Sequence, residues 1–222
     1  MPTTRSYGDA CGIARALDIV GERWALLVVR ELLLGPQRFT DLRRALPGAS
    51  SNLIADRLRE LEGRGVIRRR QLPAPAGSRV YELTGWGREL EPVLLALGDW
   101  ALDTPLPPPP VTLSATSVLL FLRGAARPGP QAPPATYCLE LDDRAWTVRA
   151  EAGHVEIRPG EPERPDAWLR TDPSTLNVLL QEPGQLDRAL ADGSAVTAGD
   201  LTALRRLLEA AARGPAGVGA SR

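Results

Sequence analysis

The sequence is poor in the residues that most often build catalytic and metal centres. Its only histidine is His154, its two cysteines, Cys11 and Cys138, are far apart, and all 27 of its basic residues are arginine. A zinc site or a histidine-based triad is therefore not expected on this chain. Nucleophile-elbow, phosphate-loop and dinucleotide motifs are also missing, so we expect neither an enzyme nor a cofactor.

Long apolar runs and a secretion signal are missing too. No stretch of the sequence reaches the roughly 20 apolar residues that a membrane-spanning helix needs. The N-terminus lacks the charged-then-apolar pattern of a signal peptide. We therefore expect a cytoplasmic protein with no membrane partner.

Positive charge is concentrated in one part of the chain. The formal net charge is zero, which taken alone argues against a nucleic-acid ligand. Residues 38–79, however, contain 10 arginines and only 4 acidic residues. A local basic face matters more for phosphate contact than the total charge does. This segment is therefore the candidate nucleic-acid interface.

A proline-rich segment divides the chain. Because proline cannot continue a helix and favours an extended backbone, residues 104–111 are predicted to form a stiff linker. We expect a mostly helical domain at 1–103, a second domain at 112–213 and a flexible tail at 214–222. The predicted fold class is α+β.

Residues 38–84 have the pattern of a winged helix-turn-helix. A short helix is predicted at 40–46, a turn at Pro47-Gly48, and a second helix at 51–63 with Ser50 as its N-cap. In the second helix, apolar residues at i, i+4 and i+7 define the buried face: Ile54, Leu58 and Leu61. The candidate DNA-binding residues are Arg38, Ser50, Ser51, Asn52, Ala55, Asp56, Arg59 and Arg79.

A basic hairpin follows the second helix. Strands are predicted at 66–70 and 80–83, around a Pro/Gly loop, with Arg68 to Arg70 and Arg79 adding positive charge. An ordinary amphipathic helix with a solvated polar face would explain residues 51–63 equally well on their own. The hairpin favours a recognition helix in a DNA major groove with a wing beside it.

Three further helices are predicted around this module, at 9–18, 22–34 and 85–102. The helix at 22–34 is expected to bury one stripe made of Trp24, Leu27, Val28 and Leu32. Thr84 is expected to cap the helix at 85–102, whose apolar stripe has little to pack against in a single module. We predict a homodimer, with packing inside one subunit as the alternative. The predicted interface residues are Ile13, Leu17, Trp86, Leu90, Val93, Leu94, Leu97 and Ala101.

Six separated motifs carry a family resemblance. They are Cys11-Gly12-Ile13, Gly21-Glu22-Arg23-Trp24, Arg30-Glu31-Leu32, Arg38-Phe39-Thr40-Asp41-Leu42, Leu58-Arg59-Glu60-Leu61 and Tyr81-Glu82-Leu83-Thr84. In order and spacing they resemble the HxlR-type transcriptional regulators, over about residues 9–101. Gly12 departs from the pattern, since the family often has proline there. The resemblance implies a homodimeric winged-helix protein on a palindromic or pseudo-palindromic operator in double-stranded DNA.

Cys11 has two interpretations. Some members of the HxlR type sense electrophiles or oxidants through a cysteine at this position. A helix N-terminus, or a cation such as Arg15 one turn further on, would favour the reactive thiolate. The simpler interpretation is a small residue buried at the dimer interface. Redox sensing by Cys11 is therefore an alternative hypothesis.

The C-terminal half has a different pattern. A helix is predicted at 114–125, then alternating strands between 137 and 169, and then helices up to 213. Residues 167–173, 186–193 and 196–208 resemble sterol-carrier-protein-like domains. The resemblance implies an apolar cavity between sheet and helices, with Trp146 and Trp168 as candidate walls. Both tryptophans could also be plain core or surface residues.

Two functions follow from these patterns. The first is a DNA-binding transcriptional regulator that is modulated by an apolar small molecule in the C-terminal domain. The second is a carrier of a lipid or another apolar ligand that uses the winged module for dimerisation. Tighter binding to one promoter site than to random DNA, with a steep salt dependence, would favour the first.

Overall fold

The computed structural model describes residues 6–72, 77–101, 104–105, 108 and 111–212. They belong to two compact units, Met1–Ala101 and Leu102–Arg222. The predicted tail at 214–222 and half of the predicted linker at 104–111 lie outside the described residues. Among the helices of the described ranges, none has the length and apolar character that crossing a bilayer requires.

The N-terminal unit begins with four helices. They are α1 (Gly12–Val20), α2 (Ala25–Leu32), α3 (Phe39–Ala45) and α4 (Ser51–Gly63). Helix α4 spans the predicted residues, and Ser50 caps it by accepting a hydrogen bond from the Leu53 N–H at 3.3 Å. Its predicted apolar face is fully buried, since Ile54, Leu58 and Leu61 are at most 1% exposed. This burial fixes which side of α4 faces away from the core.

The start of α2 differs from the prediction. The helix begins at Ala25 rather than at residue 22, because Trp24 has a left-handed backbone with φ of 78° and stands outside the helix. Val28 and Leu32 are fully buried as expected. Leu27 lies on the other side of the helix and is 36% exposed. The predicted stripe of four residues is therefore wrong for Trp24 and Leu27.

A two-stranded antiparallel sheet forms the wing. Strands β1 (Ile67–Gln71) and β2 (Arg79–Leu83) pair in a register that places Ile67 opposite Leu83 and Gln71 opposite Arg79. An isolated bridge adds Gln37 to the same sheet: its N–H donates to the Tyr81 carbonyl at 2.9 Å, and the Tyr81 N–H donates back at 2.8 Å. This bridge ties the wing to the start of the helix-turn-helix.

The helix predicted at 85–102 is broken in two. Helix α5 (Gly85–Arg88) is followed by a turn and then by α6 (Glu91–Ala101). Pro92 explains the break, since it has no N–H and its ring would clash with the carbonyl four residues earlier, at Arg88. Thr84 caps α5 as predicted, with its hydroxyl accepting from the Gly87 N–H at 3.0 Å.

The C-terminal unit contains five strands: β3 (Ala135–Leu141), β4 (Arg144–Glu151), β5 (His154–Pro159), β6 (Ala167–Thr171) and β7 (Ala195–Gly199). They form one sheet in the order β5-β4-β3-β6-β7. Strands β3 and β6 are parallel, and the other neighbours are antiparallel.

Helices pack against one face of this sheet. They are α7 (Ala115–Ala125), α8 (Pro173–Gln181), α9 (Leu186–Ala191) and α10 (Leu201–Ala212), with a 3₁₀ turn at Pro183–Gln185. Helix α7 contacts β5, and α10 contacts β6. Asp172 caps α8 ahead of proline at its first position, as predicted. The mixed α+β class with an N-terminal helix-turn-helix is therefore confirmed.

Candidate DNA-binding surface

The exposed side of α4 carries the predicted contact residues. Ser51, Asn52 and Arg59 are exposed, whereas Ala55 and Asp56 are half-buried. Asn52, Asp56 and Arg59 lie roughly opposite the apolar face that α4 buries, with Ala55 on the flank and Ser51 at the start of the helix. The Ser, Asn, Asp and Arg side chains can form hydrogen bonds with base edges in a major groove, and the alanine methyl group can contact a thymine methyl group.

An ion pair orients Arg59 within that surface. The Arg59 guanidinium donates to the Asp56 carboxylate one turn earlier on α4. Both side chains are accessible to water, so the pair adds little to stability. It does hold the arginine fork along the helix, where a guanine edge could accept two hydrogen bonds from it.

Three exposed arginines lie on α3 or at its N-cap. Arg38 stands at the N-cap of α3, where its backbone N–H donates to the Asp41 carboxylate at 3.2 Å and its side chain is exposed. Arg43 and Arg44 occupy the last turn of α3 and are exposed as well. The sequence analysis did not name Arg43 and Arg44, although arginines in the first helix of such a motif can contact phosphates.

The wing is less positive than its sequence suggests. Glu82 is buried and accepts hydrogen bonds from Arg68 at 2.7 Å and from Arg70 at 3.0 Å. Arg69 pairs with Glu62 of α4 and stacks over the Tyr81 ring.

Arg79 is the exception. It is exposed at the outer end of the hairpin and forms no ion pair with any residue in the described ranges. Because its charge is not neutralised, Arg79 is the wing residue best able to attract a phosphate.

Two contacts fix α4 relative to the segment before α2. The Trp24 ring packs against Gly48 in the turn between α3 and α4. Arg57, which is 9% exposed, places its Nη1 atom 2.8 Å from Glu60 and 3.3 Å from Glu22. Helix α4 is therefore held from its inner side while its outer side stays accessible.

A second surface of the N-terminal unit is apolar. Of the predicted interface residues, Ile13, Leu17, Trp86, Val93 and Leu97 are exposed, and Leu90, Leu94 and Ala101 are half-buried. No residue of α6 is fully buried within the described structure. Three further large apolar side chains of this unit, which the sequence analysis did not name, are exposed: Tyr7, Leu95 and Trp100, of which Trp100 is 76% exposed.

Cys11 occupies the N-cap position of α1, just ahead of the first turn in which it was predicted, and it is exposed. Its pKa lies below the usual value for a thiol, chiefly because of the backbone N–H of Ile13 and then that of Ala14. The expected cation, Arg15, is not among the causes of this shift.

The two tryptophans of the C-terminal unit lie on opposite faces of the sheet. Trp146 is fully buried on the face that the helices cover. Trp168 is half-buried on the other face, beside Cys138 in the register and under the Arg170 guanidinium. The expectation that both are walls of one cavity between sheet and helices is therefore wrong, since only Trp146 faces the helices.

A helix-turn-helix with an exposed second helix and an adjoining wing defines a winged-helix DNA-binding protein. The family model described as HxlR-like helix-turn-helix matches residues 19–105. The uncharacterized HTH-type transcriptional regulator YvaP of Bacillus subtilis is 39% identical over 89 residues, which are 40% of this chain and 82% of YvaP. The chain belongs to the HxlR-type helix-turn-helix transcriptional regulators.

A second relative agrees with this assignment. The uncharacterized HTH-type transcriptional regulator sll1512 of Synechocystis sp. is 40% identical over 97 residues, covering 42% of this chain and 72% of sll1512. Among solved structures, the redox regulator HypR in its oxidized form is 29% identical, covers 44% of this chain and 100% of HypR, and has a TM-score of 0.41. The family match thus concerns the N-terminal unit and leaves the C-terminal unit unassigned.

Proposed function

We propose that this regulator acts as a homodimer on a palindromic or pseudo-palindromic operator. The observation that carries the proposal is the apolar surface of α1, α5 and α6 on a unit whose recognition helix faces solvent. Helix α1 approaches α5, since Ala16, Ile19 and Trp86 line one pocket, and exposed apolar side chains grouped in this way mark an interaction site. A second copy fits it, because a twofold axis would match the apolar surface to itself.

Twofold symmetry also gives the expected form of the operator. Two copies of α4 related by a dimer axis would contact two half-sites of inverted sequence, about 34 Å or one helical turn apart. Asn52, Ala55, Asp56 and Arg59 are the proposed base-reading residues. Arg38, Ser51 and Arg79 are the proposed phosphate contacts, while Ser50 serves as the cap of α4.

Two measurements test this proposal. Sedimentation should give a dimer at micromolar concentration, and a monomer would contradict the proposed interface. Binding to promoter fragments from its own gene region should be much tighter than binding to random DNA and should weaken steeply with salt. Equal affinity for both DNAs would instead support the carrier function, with the winged module used only for dimerisation.

Replacing Arg79 with alanine should weaken binding to all DNA sequences to a similar extent. The reason is that Arg79 offers an unneutralised charge at the wing tip, and a phosphate contact carries no sequence information. The slope of log affinity against log salt should fall by about 1. Arg164→Ala in the C-terminal unit is the matched control. An unchanged slope would contradict the role of the wing.

A second proposal concerns Cys11 as a site that responds to oxidants or electrophiles. The exposed thiol at the N-cap of α1 supports it, because a lowered pKa increases the thiolate fraction at neutral pH. Since α1 contributes to the proposed dimer surface, modification there would disturb the distance between the two recognition helices.

Cys11→Ser should abolish release of operator DNA by diamide, and Cys138→Ser should not, because Cys138 is buried and its pKa is raised mainly by burial. Alkylation of wild-type Cys11 should follow a titration curve centred below that of a free thiol, with the rate rising as the pH rises through that midpoint. Full diamide response in the Cys11→Ser protein would eliminate the redox role.

We further propose that the C-terminal unit holds the effector site for an apolar small molecule. Support comes from a cavity lined by Tyr137 and Ala150 of the sheet and by Leu207 and Ala210 of α10, whose apolar walls could cover part of such a ligand. Neither Trp146 nor Trp168 is among its lining residues, so neither is proposed as a contact of the ligand.

A further inference from the structure

A cavity of about 230 Å³ lies at a corner of the C-terminal unit. Its walls are mostly apolar: Ala150 comes from the sheet, Leu207 and Ala210 from α10, and Pro128 and Pro133 from the loop between α7 and β3. These walls can bury an apolar group, and they come from three separate parts of the unit. Neither of the tryptophans discussed above lines this cavity.

Two arginines supply the polar side of the same cavity. Arg127 and Arg206 line it and are exposed, as expected for charged groups at an opening. Arg127 uses Nη1 to donate to the Ala126 carbonyl at 2.9 Å. Asp200 approaches Arg206 only to 3.9 Å, which is beyond hydrogen-bond distance. No acidic side chain is among the described lining residues, so the cavity favours an anion.

Tyr137 holds the frame of the cavity in place. Its hydroxyl donates to the Ala203 carbonyl of α10 at 3.0 Å, which joins β3 to α10. Burial raises the pKa of this phenol, so it stays neutral and adds no negative charge beside the arginines. The polar recognition available to a ligand is therefore chiefly that of the two guanidinium groups.

We propose that this cavity binds a small monocarboxylate whose apolar part is about the size of one aromatic ring. Cavities of about 150 Å³ accept benzene, so 230 Å³ has room for a substituted ring or a short acyl chain. A guanidinium binds a carboxylate through two parallel hydrogen bonds. Binding of a carboxylate in this cavity does not depend on the effector role of the C-terminal unit. Only the biological meaning of that binding rests on the proposed function.

Calorimetric titration of the full-length protein tests the ligand class. The probes are benzoate, phenylacetate and hexanoate, each compared with its neutral amide. At least one carboxylate should bind about tenfold more tightly than its amide, since the amide keeps the apolar contacts and loses the charge-assisted hydrogen bonds. If no carboxylate binds at about millimolar concentration, or if the amides bind equally well, the proposal is overturned.

Charge-matched variants test the site itself. Arg206→Gln should reduce the affinity for the carboxylate about tenfold, to the level of the amide. Arg205→Gln removes the same charge from the same helix, but Arg205 pairs with Asp187 and does not line the cavity; its affinity should stay within about twofold of wild type. Equal losses in the two variants would show a general charge effect and would refute the site.

Asp200→Asn provides a test in the opposite direction. Asp200 caps α10 by accepting from the Ala203 N–H at 3.0 Å, and asparagine is an equally good cap. The variant removes the carboxylate nearest Arg206, so the carboxylate probe should bind more tightly. Unchanged or weaker binding in a protein with wild-type thermal stability would count against Arg206 as the anion contact.

These titrations contain no DNA, so their result does not depend on whether the proposed regulator function is correct. Operator affinity is then measured with and without the bound carboxylate. If the carboxylate binds but leaves the operator affinity unchanged, the binding site stands and its effector role is rejected. Failure to bind, with operator recognition intact, would reject the site alone.

Discussion

Replacing Gly87 with alanine should destabilise the N-terminal unit by about 3 kcal/mol or more, at the upper end of the range for overpacked positions. A Cβ atom added at Gly87 would stand 2.0 Å from the Val66 carbonyl oxygen, which is backbone and cannot rotate away. That carbonyl also accepts from the Thr84 N–H at 3.0 Å. Relieving the clash therefore breaks the junction between the wing and α5.

Gly85 provides the matched control for this substitution. It lies two residues earlier on α5, and a Cβ atom there meets nothing within 4 Å. Gly85→Ala should change stability by less than about 1 kcal/mol. Hydrogen exchange of the full-length proteins, followed on peptides from α4 and β2, assigns the effect to this unit. Equal protection in the two variants would show that the close approach at Gly87 has no energetic consequence.

Replacing Arg59 with alanine should cost about 1–3 kcal/mol of operator binding, or roughly 5- to 150-fold in affinity. The structure places Arg59 on the exposed side of α4 and orients it through Asp56. A guanidinium held in this way can recognise a guanine edge, and its loss leaves the base without its partner. Competition binding with operator and random DNA at fixed salt measures the change.

Specificity distinguishes this result from a simple loss of charge. The Arg59→Ala protein should lose most of its preference at one base position and little of its affinity for random DNA. Arg158→Ala removes the same charge from an exposed position on β5, in the C-terminal unit, and should leave both affinities unchanged. A uniform loss on operator and random DNA would make Arg59 a phosphate contact and refute base reading.

The helix-turn-helix could be predicted because its signals are local. The N-cap Ser50 and the spacing of Ile54, Leu58 and Leu61 depend only on the geometry of one helix. The start of α2 and the break after α5 were missed for different reasons. Pro92 signals a break in the helix, but the sequence prediction gave more weight to the apolar stripe that runs past it. The left-handed backbone of Trp24, in contrast, had no counterpart in the sequence pattern.

The sequence predicted the helix that carries the candidate site, but it predicted the charges of the site less well. The arginine run at 68–70 suggested a positive wing, yet Glu82 and Glu62 neutralise much of it. Only the pairing register of β1 and β2 shows that Glu82 stands opposite Arg68. Arg43 and Arg44 were overlooked because their exposure depends on how α3 packs.

The sequence by itself determined the class of protein, helix α4 with its buried face and the apolar residues of the last N-terminal helices. These properties follow from periodicity and capping, which act over a few neighbouring residues. Only the tertiary structure decided which arginines are free, that Trp146 and Trp168 face opposite sides of the sheet, and that Arg127 and Arg206 share a cavity. Each of these depends on residues distant in the chain, whose approach is set by packing rather than by any local pattern.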